Sequence, residues 1–188
     1  YKLKSAHLCE DRKEMEGELN KLDLPKNFKL VITGGGRVAG GAIEVLEKTT
    51  IKRVSPEDFL STHFGEPVYT QLDVQDYVKR DDGAFFDIPA FFKNPSGHSS
   101  TFMSYAAVAD VYVACHYWDN RSPFIFSRDD VKNPDWNISL VADVSCDIDG
   151  PVATTLRPST IANPFYGYHP QKEEEVDFNI EGLSLIHI

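Results

Sequence analysis

Lys29-Leu30-Val31-Ile32-Thr33-Gly34-Gly35-Gly36-Arg37-Val38-Ala39-Gly40-Gly41-Ala42-Ile43 is the stretch from which the fold can be read. An apolar, β-prone run breaks into glycines, and a segment of helical period follows at once. Strand, glycine turn and helix N-terminus together form the unit that holds the pyrophosphate of a dinucleotide. The spelling is G-x-G-x-x-A, with Gly40 and Gly41 added. Gly34 suits a tight turn out of the strand, and Gly36 lacks the Cβ that would keep a phosphate off the backbone. Ala39 is small enough for helix and strand to pack closely. Free amides and the helix dipole then face the anion. A glycine-rich turn can also be no more than a turn. The flanks decide for the dinucleotide reading: residues 28–33 read as a buried strand, and Val38, Ala42, Val45 and Leu46 form an apolar helical stripe. A P-loop is disfavoured because no Gly-Lys-Ser/Thr follows the glycines.

Working outward, the pattern alternates strand and helix from Phe28 onward. Strands are expected over 28–33, 51–54, 67–71, 110–115, 138–144 and 164–168, and helices over 37–48, 56–61, 73–79, 99–108 and 127–132. This predicts an α/β fold, a Rossmann-type doubly wound parallel sheet with helices on both faces. Ser55-Pro56-Glu57-Asp58 and Ser127-Arg128-Asp129-Asp130 carry helix-start signals. Residues 79–100, rich in Asp, Gly, Pro and Phe, read as an insertion covering one face. Residues 1–25 read as a lead-in helix and linker, 26–178 as the binding domain, and 179–188 as a non-native or disordered tail. The alternative for the tail is a genuine final strand.

At 188 residues, 41% hydrophobic and 12% aromatic, the chain suits one folded domain. A formal net charge of -10 opposes nucleic acid or an anionic membrane as a main partner. A dinucleotide needs only local cations, for which Arg37, Lys52 and Arg53 are candidates, Lys52 more readily as solvated surface charge. Cys9, Cys115 and Cys146 form neither a disulfide framework nor a metal pattern, so no metal is expected and a reduced, cytoplasmic setting fits. Cys115 and Cys146 sit in apolar runs and read as inert core thiols. No stretch is long and apolar enough to span a membrane.

A second constellation is Asn137-Ile138-Ser139-Leu140-Val141-Ala142-Asp143-Val144-Ser145-Cys146-Asp147, an apolar strand with acids at its C-terminal end. In extended chain Asp143, Ser145 and Asp147 would share one side. Ligands of open α/β sheets sit beyond the carboxyl ends of strands, where these acids fall. Asp143 lies inside the apolar run and must be paired if buried. It reads either as a cofactor-binding residue or as a structural acid accepting amide hydrogen bonds. Asp147 is the better catalytic candidate.

Asp143-Val144-Ser145-Cys146-Asp147, followed by Thr160-Ile161-Ala162-Asn163-Pro164-Phe165, resembles the cofactor domain of the saccharopine dehydrogenase and alanine dehydrogenase superfamily, closest to the lysine–2-oxoglutarate reductase branch. The glycine turn, Val54-Ser55-Pro56-Glu57-Asp58-Phe59 and His116-Tyr117-Trp118-Asp119-Asn120-Arg121-Ser122-Pro123 are similar to segments of that branch in the same order, over about residues 26 to 170. The resemblance implies an NAD- or NADP-dependent oxidoreductase acting on C–N bonds, joining lysine to 2-oxoglutarate or cleaving the product. It implies that Gly34, Gly36, Arg37 and Val38 contact the pyrophosphate. It sets Cys115, His116, Tyr117 and Trp118 beside the nicotinamide and its ribose, and Asp147 at nicotinamide and substrate. Many NAD-specific relatives carry an acid at the end of the second strand, where this chain has Ser55. A small residue beside Arg53 could accept a 2′-phosphate, yet Ser55 is also a good N-cap and Glu57 or Asp58 could reach the ribose, so NAD and NADP stay open. The family's substrate-binding domain, source of the main catalytic Lys and His, is not in this sequence, so the segment alone is expected to be inert. Its partners would be that domain and an amino-acid or 2-oxo-acid substrate. The alternatives are an alanine-type amino-acid dehydrogenase domain and a non-catalytic dinucleotide-binding module.

Overall fold

The computed structural model describes residues 3–178 and the backbone of 186–187. A short helix, α1 (Arg12–Leu19), precedes the sheet; Asp11 caps it by accepting from the Glu14 amide, and Arg12 reaches Glu44 of the next helix at 2.8 Å. Then come β1 (Lys29–Thr33), α2 (Arg37–Leu46), β2 (Lys52–Arg53), α3 (Pro56–Ser61), β3 (Val68–Leu72), α4 (Val74–Tyr77), β4 (Val78–Arg80), α5 (Ile88–Lys93), β5 (His98–Ser100) and α6 (Met103–Ala106). The chain closes through β6 (Val111–Ala114), α7 (Arg128–Val131), β7 (Leu140–Asp143), β8 (Tyr166–His169), β9 (Glu174–Val176) and β10 (Ile186–His187).

The main sheet has the order β2-β3-β1-β6-β7-β10-β8-β9. β2, β3, β1, β6 and β7 all run parallel, which confirms the α/β Rossmann-like class. One detail departs from the usual doubly wound order. The second strand in the chain does not lie beside the first. β3 pairs with β1 along its length, from Lys29 opposite Val68 to Thr33 opposite Leu72, and β2 lies outside β3.

Alternation along β1 sends neighbouring residues to opposite faces. Leu30 and Ile32 pack with Ala39 of α2, Ile51 and Tyr69. Val31 packs with Phe59 of α3, Tyr77 of α4, Phe91 of α5 and Tyr105 and Ala106 of α6. The sheet is thus wrapped on both sides, α2 on one and the later helices on the other. Phe102, Tyr112, Phe126 and Trp136 form a contiguous aromatic stack in the larger core, with ring centroids 4.7 to 6.1 Å apart.

The helix-start signals hold. Ser55 accepts from the Asp58 amide with Pro56 behind it, and Ser127 forms a reciprocal capping box with Asp130. The segment over 79–100 folds as α5 between the antiparallel pair β4 and β5, with Lys79 opposite Ser99. Lys52 pairs with Glu66 at the surface, as expected of a solvated charge. Cys146 is corrected: it is exposed, because the apolar run ends at Asp143 and the chain turns out of the sheet, whereas Cys115 is buried as expected. Of the tail expected over 179–188, only the Ile186–His187 backbone is described; it lies between β7 and β8, and the rest falls outside the described residues.

Candidate dinucleotide site

β1 ends where the chain connection to α2 runs one way across the sheet and the strand beside it, β6, continues the other way. A crevice opens at such a switch point. Here it is a cleft of about 800 Å³, a size suited to a cofactor. Gly34 to Val38, Cys115 to Asp119, Ser145 and Asp147 line it, together with an apolar bay that includes Tyr77, Ile88 and Phe91. Three segments separate in sequence therefore meet in one place, and nine of the residues singled out above are among them: Gly34, Gly36, Arg37, Val38, Cys115, His116, Tyr117, Trp118 and Asp147.

The glycines divide by what surrounds them. Gly34 has φ +109, and a Cβ there would stand 2.6 Å from the Cys115 carbonyl oxygen. Its amide donates to the Leu72 carbonyl at 2.9 Å, and its carbonyl accepts from the Gln71 side chain at 2.8 Å. Gly34 is thus a required turn, clasped by β3 and β6. Gly35 is held close by the Asp73 carboxylate, which a Cβ would strike. Gly36 differs from both. A Cβ there would meet nothing within 4 Å, and its backbone is extended, at φ -90 and ψ -169. Gly36 is the N-cap of α2, and no side chain caps that helix. The first-turn amides of α2 therefore keep the open anion-binding character of an uncapped helix start.

On the opposite wall, His116 is buried. Its Nδ1 lies 2.8 Å from Thr33 Oγ1, which lies 2.8 Å from the Tyr112 hydroxyl. Burial pushes the imidazole pKa down to about 4, only partly opposed by Asp143, so the ring is neutral at pH 7. Its Nε2 is buried without a partner among the described residues. A buried polar atom of this kind needs a hydrogen-bond partner, which a water or a group of a ligand in the cleft can supply. Burial also raises the Cys115 thiol to about 11, which keeps it protonated and unreactive. Tyr117 stands 84% exposed at the rim, while Trp118 donates from Nε1 to the Pro123 carbonyl at 3.3 Å and packs on Phe124.

The depressed His116 value carries a pH consequence. The unfolded imidazole takes up a proton near pH 6.5, and the folded one resists until about pH 4. The unfolded state therefore binds more protons between those values, and stability falls as pH drops through that window. Urea unfolding midpoints at pH 7 and pH 4.5 measure the loss. A His116→Gln variant should remove about 2 kcal/mol of it or more, less than the full shift allows; an unchanged pH slope would contradict the burial.

Two sequence expectations need correction in geometry. The acids after β7 do not share one side of an extended strand. Asp143 Oδ1 accepts from the Ser145 amide, the Ser145 hydroxyl and the Cys146 amide, and its Oδ2 accepts from Thr155. That carboxylate folds the chain into a tight loop in which Cys146 takes φ +58. Asp143 is buried and is not among the cleft-lining residues. Its position fits the structural-acid alternative, and it acts on the site by presenting Ser145 and Asp147. Buried Gly150 donates to the Asp147 carbonyl at 3.0 Å and backs the same loop. Ser55 does not line the cleft either. Its hydroxyl accepts from the Asp58 amide at 3.1 Å and is 2.8 Å from the Asp58 carboxylate, so it serves as the cap of α3. Sequence reading missed Asp73, because its strand is third in the chain although second in space.

No family model matches the chain. Over 167 residues it is 25% identical to alpha-aminoadipic semialdehyde synthase from Arabidopsis thaliana. That stretch covers 78% of this chain but 16% of the relative's length. The similarity is distant, and together with the Rossmann-like fold it suggests an oxidoreductase-like domain with a place for a nucleotide cofactor. Among the described residues no helix is long and apolar enough to cross a membrane, and no cluster of His, Cys, Asp or Glu could hold a metal ion.

Proposed function

We propose that this chain is the NAD(P)-binding domain of an oxidoreductase acting on C–N bonds of amino acids, of the saccharopine-forming or saccharopine-cleaving kind. The observation that carries the reading is Gly36: a position where a Cβ would meet nothing within 4 Å, at a helix start that no side chain caps, opening on the cleft. Gly36 and the first amides of α2 would receive the pyrophosphate, with Arg37 and Val38 beside them. His116 Nε2 and the loop through Trp118 would receive the nicotinamide end, and the buried neutral imidazole suits an uncharged amide. Asp147, exposed on its loop, would attract the cationic amino group of a substrate.

In the reductive direction the ε-amine of lysine condenses with the keto carbon of 2-oxoglutarate, releasing water, and the resulting imine is reduced to saccharopine. The nicotinamide supplies the hydride when bound. Acid–base groups must come within hydrogen-bond reach of the reacting nitrogen; on this reading they belong to a substrate-binding domain of a longer protein.

Titration of the purified chain with NADH and NADPH, followed by calorimetry, tests the reading: binding of at least one is expected, and binding of neither would defeat it. A longer protein containing this domain should then oxidise cofactor with lysine plus 2-oxoglutarate. Turnover with ammonia plus pyruvate instead would make it an alanine-type enzyme, and binding without turnover a non-catalytic module.

A further inference from the structure

Thr33 closes β1, and Tyr112 lies on the neighbouring strand β6, with Val31 opposite Tyr112 and Thr33 opposite Ala114. Alternation therefore puts Thr33 and Tyr112 on one face of the sheet. His116 follows just past the end of β6, and the three side chains join: Tyr112 OH to Thr33 Oγ1 and Thr33 Oγ1 to His116 Nδ1, both at 2.8 Å. A neutral imidazole has one N–H, and the partner of one ring nitrogen decides which of the two carries it.

Counting hydrogens along this chain settles the choice. The two hydroxyls and the ring bring one hydrogen each, and the chain has two links, so one hydrogen is left over at an end. With Nδ1 protonated, the ring donates to Thr33, Thr33 donates to Tyr112, and the Tyr112 hydrogen is the surplus one. With Nε2 protonated, Tyr112 donates to Thr33, Thr33 donates to Nδ1, and the surplus hydrogen is on Nε2. The Tyr112 end is closed. The side chain is fully buried between Phe102 and Phe126, with ring centroids 4.7 and 6.1 Å away, and among the described residues Thr33 is the hydroxyl's hydrogen-bond partner. A hydrogen stranded there would lack an acceptor, the costly kind of unmade bond. The His116 end borders the cleft.

We propose that Tyr112 and Thr33 are positioning residues that act through Nδ1 to fix His116 as an Nε2–H donor, and that this donor reads a carbonyl oxygen, that of the nicotinamide carboxamide. The choice of ligand rests on the dinucleotide reading above and deepens it; the choice of tautomer stands apart from it. With Nδ1 held by Thr33, the ring has a fixed direction, and Nε2 is shielded from water, where a hydrogen bond is stronger than in solvent. A donor at this point rewards the oxygen of the carboxamide and gains nothing from its amino group.

Two measurements test the two halves. Nuclear magnetic resonance of the full chain, with isotope-labelled imidazole nitrogens and the His116 signal identified by its loss in His116→Gln, should show the Nε2–H tautomer at pH 7. Thr33→Val should make the Nδ1–H form detectable, and Thr33→Ser, which returns the hydroxyl, should restore the parent spectrum. An Nδ1–H parent, or a spectrum that Thr33→Val leaves unchanged, would overturn the positioning role. Calorimetric titration of the parent chain then compares NAD or NADP, whichever binds more tightly, with its acetylpyridine and thionicotinamide analogues. The acetylpyridine form keeps the carbonyl and lacks the amino group, and should bind within about threefold of the natural nucleotide. The thionicotinamide form, a poorer acceptor, should bind about fivefold more weakly or worse, the scale of one hydrogen bond. The reverse order would overturn the carbonyl assignment while leaving the dinucleotide reading intact. Binding of none of these nucleotides would overturn that reading and the ligand assignment with it. The parent spectrum and the analogue series need no variant to fold.

Discussion

A Gly36→Val variant should lose nicotinamide-dinucleotide affinity by about a hundredfold or more, roughly 2.7 kcal/mol, and yet melt within a few degrees of the parent chain. The two halves of that expectation have separate causes. The added side chain has room at its root, since a Cβ at this position would meet nothing within 4 Å beyond its own stretch of chain. The backbone there is extended, a conformation any residue adopts, and the N-cap of α2 would change from one residue without a capping side chain to another. Losing glycine at an N-cap costs about 1 kcal/mol or less. The space the new methyl groups would fill is the space through which a diphosphate must reach the α2 amides. Paired calorimetry and thermal melts read both quantities. A variant that binds as the parent does would remove the main support for a phosphate at this corner.

Gly34→Ala should show the opposite pattern, a loss of folding stability of about 3 to 5 kcal/mol. Part comes from the backbone, because φ +109 lies where residues with a Cβ are strained by about 1–3 kcal/mol. The rest comes from collision. The new Cβ would sit 2.6 Å from the Cys115 carbonyl oxygen and 2.8 Å from its carbon, which are main-chain atoms of a central strand's exit and have little freedom to move. Denaturant titration gives the measurement, and a loss under about 1 kcal/mol would mean that the β1–β6 seam is softer than its packing indicates. Together the two variants separate a glycine that the fold requires from a glycine that only a ligand requires.

Much of this architecture was legible because its signals are local. The run over 28–33 gave β1, the Ser-Pro-Glu-Asp start gave α3, and hydrophobic spacing gave α2; each is set by residues within one or two turns of chain. The three patches of the cleft could be named for the same reason. What escaped depended on pairing between distant segments. Nothing in the residues of β2 says that it stays at the edge while β3 slips in beside β1, so Asp73 lines the cleft and Ser55 does not. The alternation expected from Asp143 to Asp147 failed because a buried carboxylate with four donors bends the chain more strongly than strand propensity straightens it. Cys146 was misplaced by the same bend.

Because Gly34 is gripped by Leu72 and Gln71 on one flank and pressed against Cys115 on the other, the anion corner is not a feature of its own local sequence. The glycines precede both strands that clasp them, so the corner takes its shape only once β3 and β6 have docked on β1, and contacts between segments so far apart in sequence form slowly. On the dinucleotide reading, a nucleotide bound at this corner would stabilise the state in which β3 and β6 both flank β1.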